Sequence, residues 1–345
     1  MSDDPVLSVE DLETVFHTPG GTVRAVRGVS FDLARGERMG IVGESGSGKS
    51  AMALAILGLI EPPGEVLGGS VKLNGRELVD RPERELQRVR GKEISLVYQD
   101  PMSALDPVKT IGRQLVETIR QHDRGISRKA ARKAAAELLR DVEVPEPERR
   151  LDDYPHQYSG GMRQRVMIAS ALANRPDVVI ADEPTTALDV TTQAQVLDLL
   201  NRLVSDRGTA VLLITHNLGI VAEACDRVAV MYAGRIVEIG DAAQVFTEPQ
   251  HPYTQELLRS TISLSTTGLN FIPGAPPDLI DPPPGCHFHP RCPQAMQVCR
   301  SLDPVDLRLA SGQRVECWLH GPDDQVPEGG RAPLEREEIS VADEA

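Results

Sequence analysis

Apolar and polar residues change their period several times along this chain. In LSVEDLETVF and TVRAVRGVSFDL apolar positions alternate with polar ones, and Pro19, Gly20 and Gly21 fall between the two runs. That pattern predicts an antiparallel β flap. MGIVG (39 to 43) is a short apolar strand that runs into glycines and then into SAMALAILGLI, an apolar helix, and SVKLNG predicts another flap strand. From about Glu83 to Arg165 the spacing becomes helical, most clearly in SRKAARKAAAELLRDV. DVVIADE (177 to 183) and AVLLITH (210 to 216) are apolar almost throughout, with the amphipathic helix TTQAQVLDLLNRLV between them. Strands of that kind are buried on both faces and imply a parallel sheet covered by helices. RVAVMYAGRIVEIG reads as a closing hairpin. Beyond about Pro252 the texture shifts to Pro, Gly, Cys and His, an appended domain. From Pro322 eight acidic and two basic residues with little apolar material predict a disordered tail.

Length and charge narrow what such a chain can do. At 345 residues there is room for a large core and two or three domains. A formal charge of −14 argues against a nucleic-acid footprint, which is built from clustered Lys and Arg, and suits a soluble cytoplasmic protein. The longest apolar run, roughly Ala51 to Ile60, is about half of what a bilayer-spanning helix needs. With no signal segment at the start, any membrane role is expected to be borrowed from a partner.

The chemistry concentrates in a few short motifs. GESGSGKS (43 to 50) places Gly43, Gly48, Lys49 and Ser50 as a phosphate-binding loop requires, flanked by strand and helix. Glycines, with Gly46 among them, let backbone N–H groups turn inward round a β-phosphate. Lys49 neutralises the β and γ oxygens, and the Ser50 hydroxyl ligates magnesium. At the end of VVIADEP, Asp182 is placed to hold Mg2+ through water and Glu183 to polarise the attacking water or accept its proton. His216 ends the neighbouring strand, where it either caps or reaches a γ-phosphate. Phe16, about 27 residues before the loop, either stacks on adenine or packs in the core. Cys225 reads as a small buried apolar residue.

A second Ser-Gly-Gly turn, in HQYSGGMRQR, demands its own explanation. Met162, Val166, Ala169 and Leu172 recur at helical spacing, so Ser159 is placed as N-cap, with Gly160 and Gly161 as bare first-turn donors. Two consecutive glycines are poor helix formers and make sense where an anion approaches the backbone. Because residues 43 to 50 already cradle one side of their own nucleotide, this turn is expected to serve the γ-phosphate of another subunit's ATP.

In this order the motifs resemble the ATP-binding cassette family over residues from about 7 to 320. GESGSGKS looks like its Walker A, Gln99 in SLVYQDP its Q-loop, YSGGM its signature, VVIADE its Walker B, ALD (187 to 189) its D-loop and His216 its switch histidine. The signature reads Tyr158-Ser159-Gly160-Gly161-Met162 where the general pattern is Leu-Ser-Gly-Gly-Gln. That resemblance implies a P-loop NTPase (RecA-like) α/β core with an antiparallel β subdomain, an inserted helical subdomain and a small Cys/Pro-rich C-terminal extension. The expected boundaries are 1 to 90 and 171 to 250 for the core, 91 to 170 for the helical part, 251 to 321 for the extension and 322 to 345 for the tail. It further implies nucleotide contacts at Ser45 and Ala51 beside the loop residues above, a role for Gln99 at the magnesium, and a D-loop contact at Asp189.

MYAGRIVEIGDAAQVFTEPQHPYTQELL, followed by the Cys-rich segment, is similar to the ATPase subunits of the dipeptide, oligopeptide and nickel importers. By that likeness the chain hydrolyses ATP at the cytoplasmic face of the membrane. Its expected partners are two permease subunits, an extracytoplasmic peptide-binding protein and a second, homologous ATPase in a heterodimer. Nickel or another solute as cargo stays open, as does a soluble regulatory ATPase. An ABC protein of DNA repair or translation would be expected to carry coiled-coil insertions or tandem cassettes and a basic surface.

The remaining signal is Cys286, Cys292, Cys299 and Cys317, with gaps of five, six and seventeen residues. Disulfides do not suit a cytosolic protein. Four thiolates could hold a 4Fe–4S cluster or zinc, or stay unligated, and the spacing is looser than zinc knuckles favour. The importer resemblance also points to an iron–sulfur cluster, with His287 and His289 as outer or alternative ligands.

Overall fold

The computed structural model describes residues 4–100, 104–185, 190–205, 208–260 and 271–334. Two sheets organise it. Strands β1 (Leu7–Thr18), β2 (Gly21–Leu33), β4 (Gly64–Leu73) and β5 (Arg76–Glu77) form an antiparallel sheet in the order β2-β1-β4-β5. This is the flap expected from the alternating pattern, with its turn at Gly21, where φ is 138°. The second sheet holds β3 (Arg38–Val42), β6 (Ile94–Val97), β7 (Val178–Asp182), β8 (Ala210–Ile214), β9 (Arg227–Tyr232), β10 (Arg235–Asp241), β11 (Asp306–Arg308) and β12 (Arg314–Glu316). Its order is β11-β12-β10-β9-β3-β8-β7-β6, and the run from β9 to β6 is parallel.

Why the central strands are apolar almost throughout is visible in their two faces. Successive side chains of a strand point to opposite sides. Ala210, Leu212 and Ile214 of β8 enter one core, shared with the flap and the helix Lys49–Ile56. Val211 and Leu213 enter another, shared with the helices Ile111–His122, Arg128–Asp141, Gly160–Leu172 and Val190–Ser205. A polar residue at either register would face a core, so no alternation survives. Parallel pairing also carries the C-terminal ends of β3, β7 and β8 to one edge of the sheet, the place where open α/β sheets bind ligands.

Two parts of the C-terminal region depart from the expectations. The Cys-rich segment does not only append itself: β12 pairs antiparallel with β10, and β11 with β12, so it widens the core sheet. The expected disordered tail is also corrected over 322 to 334. There Arg331 donates to the carbonyl oxygens of Trp318 and Gly321, Leu334 N–H donates to Ala295 O, and Met296 bridges to Pro333. A guanidinium that caps part-buried carbonyls ties down a stretch whose composition carries little apolar area to do so. Residues 335 to 345 lie outside the described residues.

Gly40 shows how closely β3 is packed. A Cβ there would lie 2.3 Å from Val221 Cγ1 on the helix Leu218–Ala224. Gly40→Ala should therefore destabilise the chain by about 1–3 kcal/mol, as overpacked cores do, read as a lowered urea midpoint. Adding Val221→Ala should restore part of the loss.

Candidate functional site

The loop after β3 is built on glycines that no other residue could replace. Gly43 has φ 154° and a Cβ there would meet Met231 O at 2.1 Å; Gly48 has φ 103° and a Cβ would meet Ala25 O at 2.1 Å. Gly46, at φ 78°, faces open space, and it is exposed together with Ser45. Gly48 is the N-cap of the helix Lys49–Ile56 and offers no side chain, which leaves the first-turn N–H groups, those of Ser50 and Ala51 among them, open to an anion.

Lys49 points back into this turn. Its ammonium donates to Gly43 O and Glu44 O, each at 2.9 Å, and to Ser47 Oγ at 3.3 Å. Burial lowers its pKa, and the carboxylates of Glu183, Asp182 and Glu44 oppose that shift. Asp182 ends β7 alongside. Burial raises its pKa, with Glu183 adding to the rise, while the Ser50 hydroxyl and Lys49 hold it down. Its Oδ1 is buried and finds no hydrogen-bond partner among the described residues. A carboxylate with one vacant lone-pair face beside a serine hydroxyl is a hard-oxygen pair of the kind Mg2+ takes.

Glu183 gathers the remaining candidates. It sits at φ 44°, an uncommon conformation for a side-chain-bearing residue, and its N–H donates to Ile214 O at 2.8 Å. Gln99 Nε2 donates to Glu183 Oε2 at 2.9 Å, and His216 Nδ1 lies 3.2 Å from Glu183 Oε1. Thus residues from the ends of β6, β7 and β8, far apart in the chain, converge on one carboxylate.

The Ser-Gly-Gly turn stands elsewhere. Ser159 caps the helix Gly160–Leu172, its Oγ accepting Met162 N–H at 3.3 Å. Gly161 packs so tightly that a Cβ would lie 2.8 Å from Thr192 Cγ2. Tyr158 is buried beneath the turn, donates to Arg150 O at 2.8 Å and carries the Arg150 guanidinium over its ring. The neighbours of this turn are therefore Arg150 and Thr192, whereas those of the glycine loop are Ala25, Met231 and Tyr253.

The other expected residues divide. The Phe16 ring lies against Gly64, where a Cβ would stand 2.6 Å from its Cε1, and stays half-buried. Cys225 packs between two cores, and burial pushes its thiol up to about 12. Asp189 and the rest of ALD lie outside the described residues. The four cysteines of the C-terminal segment lie within reach of one another. The thiols of Cys286, Cys292, Cys299 and Cys317 act on one another electrostatically, and Cys286 N–H donates to Cys299 O at 2.9 Å. Yet among the described residues no group of three or more His, Cys, Asp or Glu side chains stands ready to hold a metal ion. Burial raises the thiols of Cys286, Cys299 and Cys317. His289 instead turns its Nδ1 to Cys286 O at 2.8 Å, and His287 meets Arg27.

Sequence spacing missed Glu44, Tyr253 and Arg291. The Arg291 guanidinium is paired with the Glu44 carboxylate at 2.7 and 2.9 Å, and the Tyr253 hydroxyl accepts Glu44 N–H at 2.9 Å. The available signal was only the charge of Glu44 inside the glycine loop.

Comparison with known proteins places these features in company. The family pattern described as ABC transporter matches residues 26–186, and that of the oligopeptide/dipeptide transporter C-terminal region matches residues 237–299. The chain is 50% identical over 319 residues to the dipeptide transport ATP-binding protein DppD of Bacillus subtilis, covering 92% of this chain and 95% of that one. It is 50% identical over 315 residues to the oligopeptide transport ATP-binding protein OppD of Salmonella typhimurium, covering 91% and 93%. Among solved structures, the dimeric post-hydrolysis state of the ATP-binding cassette MJ0796 bound to ADP and Pi superposes with a TM-score of 0.62 at 30% identity, covering 68% of this chain and 98% of that one.

The raised pKa of Asp182 has a measurable sign. Folding favours its protonated form, so its contribution is full below the unfolded carboxylate pKa and is lost as pH rises through the folded value. Asp182→Asn removes this titration. In the nucleotide-free chain the stability of the variant relative to wild type should therefore increase from about pH 4 to pH 7, measured by denaturant titration at each pH.

Proposed function

The chain belongs to the ABC transporter family, and on that premise we propose that it is the ATP-hydrolysing subunit of an importer of dipeptides or oligopeptides. The observation that carries the cargo reading is half-identity, over nearly the full length of both chains, to proteins named for dipeptide and oligopeptide transport. No helix among the described residues is long and apolar enough to cross a membrane. The subunit then acts from the cytoplasmic face, docked on two permease subunits that an extracytoplasmic binding protein supplies with peptide.

The proposed mechanism follows from the geometry. The β- and γ-phosphates of ATP take the amides of the 43–50 loop, and Lys49 exchanges its carbonyl partners for phosphate oxygens, which regain for its buried ammonium a full opposite charge. Ser50 and Asp182, with Gln99, would hold Mg2+, which neutralises charge developing on the phosphates. Glu183 takes the proton of the water that attacks the γ-phosphorus as the bond to the β–γ bridging oxygen breaks. Gln99 and His216 hold that carboxylate from either side and let it respond when the γ-phosphate departs. Ser159, Gly160 and Gly161, seated on the buried Tyr158, present their amides to the ATP of a second ATPase subunit, and a contact of Asp189 with that same subunit is part of this proposal. The finer reading is that the second subunit is a homologue rather than a copy. Phe16 remains the adenine-stacking candidate.

Glu183→Gln should keep ATP binding within about threefold of wild type while hydrolysis falls by about 10²-fold or more, the range of a lost general base. Lys49→Ala should instead weaken binding itself. Equilibrium binding and steady-state turnover on the same preparations separate the two, and normal turnover of Glu183→Gln would remove that residue from its assigned role.

For the four cysteines we retain a 4Fe–4S cluster as the finer reading, supported by their number, loose spacing and mutual electrostatic reach. Anaerobic isolation of the intact assembly tests both levels together. Two polytopic membrane subunits and a second ATPase should accompany the chain, with iron and sulfide in near-equal amounts. Equimolar zinc without iron would overturn the cluster, and a chain that purifies without membrane subunits would overturn the importer.

A further inference from the structure

Glu44, the second residue of the glycine loop, is held by all three of its polar groups. Lys49 occupies its carbonyl at 2.9 Å, the Tyr253 hydroxyl occupies its amide at 2.9 Å, and Arg291 pairs with its carboxylate through both terminal nitrogens. Only the first of these holds belongs to the loop itself. Arg291 lies 247 residues away in the chain, its side chain 5% exposed. It is held in turn by Pro273 O at 2.9 Å, Ile272 O at 3.3 Å and the Tyr232 hydroxyl at 3.3 Å. Tyr253 is fully buried, its ring against Tyr232 and Phe288 with centroids 4.5 and 5.3 Å away. Tyr232 directly follows Met231, the residue whose carbonyl oxygen closes on Gly43.

We propose that Arg291 and Tyr253 are positioning residues for ATP: the C-terminal extension braces the phosphate loop from outside, in the shape that receives phosphate. This deepens the reading of residues 43 to 50 as the nucleotide loop and rests on it. When ATP arrives, Lys49 must release the Gly43 and Glu44 carbonyl oxygens to meet the phosphates. The loop then loses its ties to Lys49 and keeps, within itself, the longer bond from Ser47 N–H to Glu44 O at 3.2 Å, at the moment it must hold its shape. The ties to Arg291 and Tyr253 do not involve Lys49 and persist through that exchange. An amide committed to a buried tyrosine hydroxyl and a carboxylate gripped by a rigid guanidinium fork leave the loop little freedom to lose on binding. The brace therefore acts on affinity for ATP more than on the chemical step.

Equilibrium binding of a fluorescent ATP analogue with Mg2+ to the full chain, with KM and kcat for ATP in the assembled transporter, tests this. Tyr253→Phe keeps the ring and deletes only the hydroxyl; it should weaken binding about two- to tenfold, the worth of one hydrogen bond. Arg291→Ala should weaken it by about tenfold or more. Arg291→Lys, which keeps the charge but not the fork, should recover part of that loss. In each, KM should rise more than kcat falls. Thermal melts identify any variant that fails to fold, and Tyr253→Phe carries the test if Arg291→Ala does so. Folded variants whose analogue affinity and KM match wild type would overturn the brace, as would kcat falling with KM unchanged. A wild-type chain that does not bind the analogue would instead overturn the nucleotide reading beneath it.

Discussion

A buried ammonium with only neutral oxygens in direct contact governs the arrangement of this molecule. Lys49 is almost fully buried, and its hydrogen-bond partners are two backbone carbonyl oxygens and a serine hydroxyl. Burying a charge costs free energy unless an opposite charge compensates it. Here the compensating carboxylates act on it electrostatically without a direct bond, and desolvation outweighs them. The loop thus holds a cation poised for an anion, on a turn whose glycines leave no room for anything but backbone.

That turn is held from three directions. β3 feeds it and is locked between β8 and β9, so its exit point is rigid. Asp182 and Glu183 reach the same edge because β7 runs parallel to β8, and the positive φ of Glu183 turns the chain so that its carboxylate meets Gln99 and His216. The third direction is the C-terminal extension, through Arg291 and Tyr253. A region that composition marks as separate thereby shares both a sheet and an ion pair with the nucleotide loop.

On the proposed reading, the Ser-Gly-Gly turn makes the chain an incomplete unit. Its backbone donors sit on a helix whose neighbours differ from those of the glycine loop, and the buried Tyr158 beneath it substitutes an aromatic for the usual leucine without disturbing the cap at Ser159. Close packing on Thr192 accounts for Gly161, and on the proposed reading a second subunit's phosphate accounts for the bare donors at this helix start.

Elements specified by short-range chemistry were legible from residue order alone. The alternating flap, the two-faced apolar strands, the glycine loop with its lysine and the Ser159 cap each follow from a period or spacing within about a dozen residues. Pairings across long separations were not. Nothing in the neighbourhood of Arg291 specifies Glu44, nothing in RVE specifies an edge strand beside β10, and the acidic composition after Pro322 hides an arginine that ties it down. The cysteines show the converse: their count and spacing could be read, but whether four thiols close on one centre depends on the balance of burial and charge around them. Sequence determined the local conformations and the chemistry each could offer. The tertiary structure decided which of them meet, because burial and partnership are set by segments that approach only after the chain has folded.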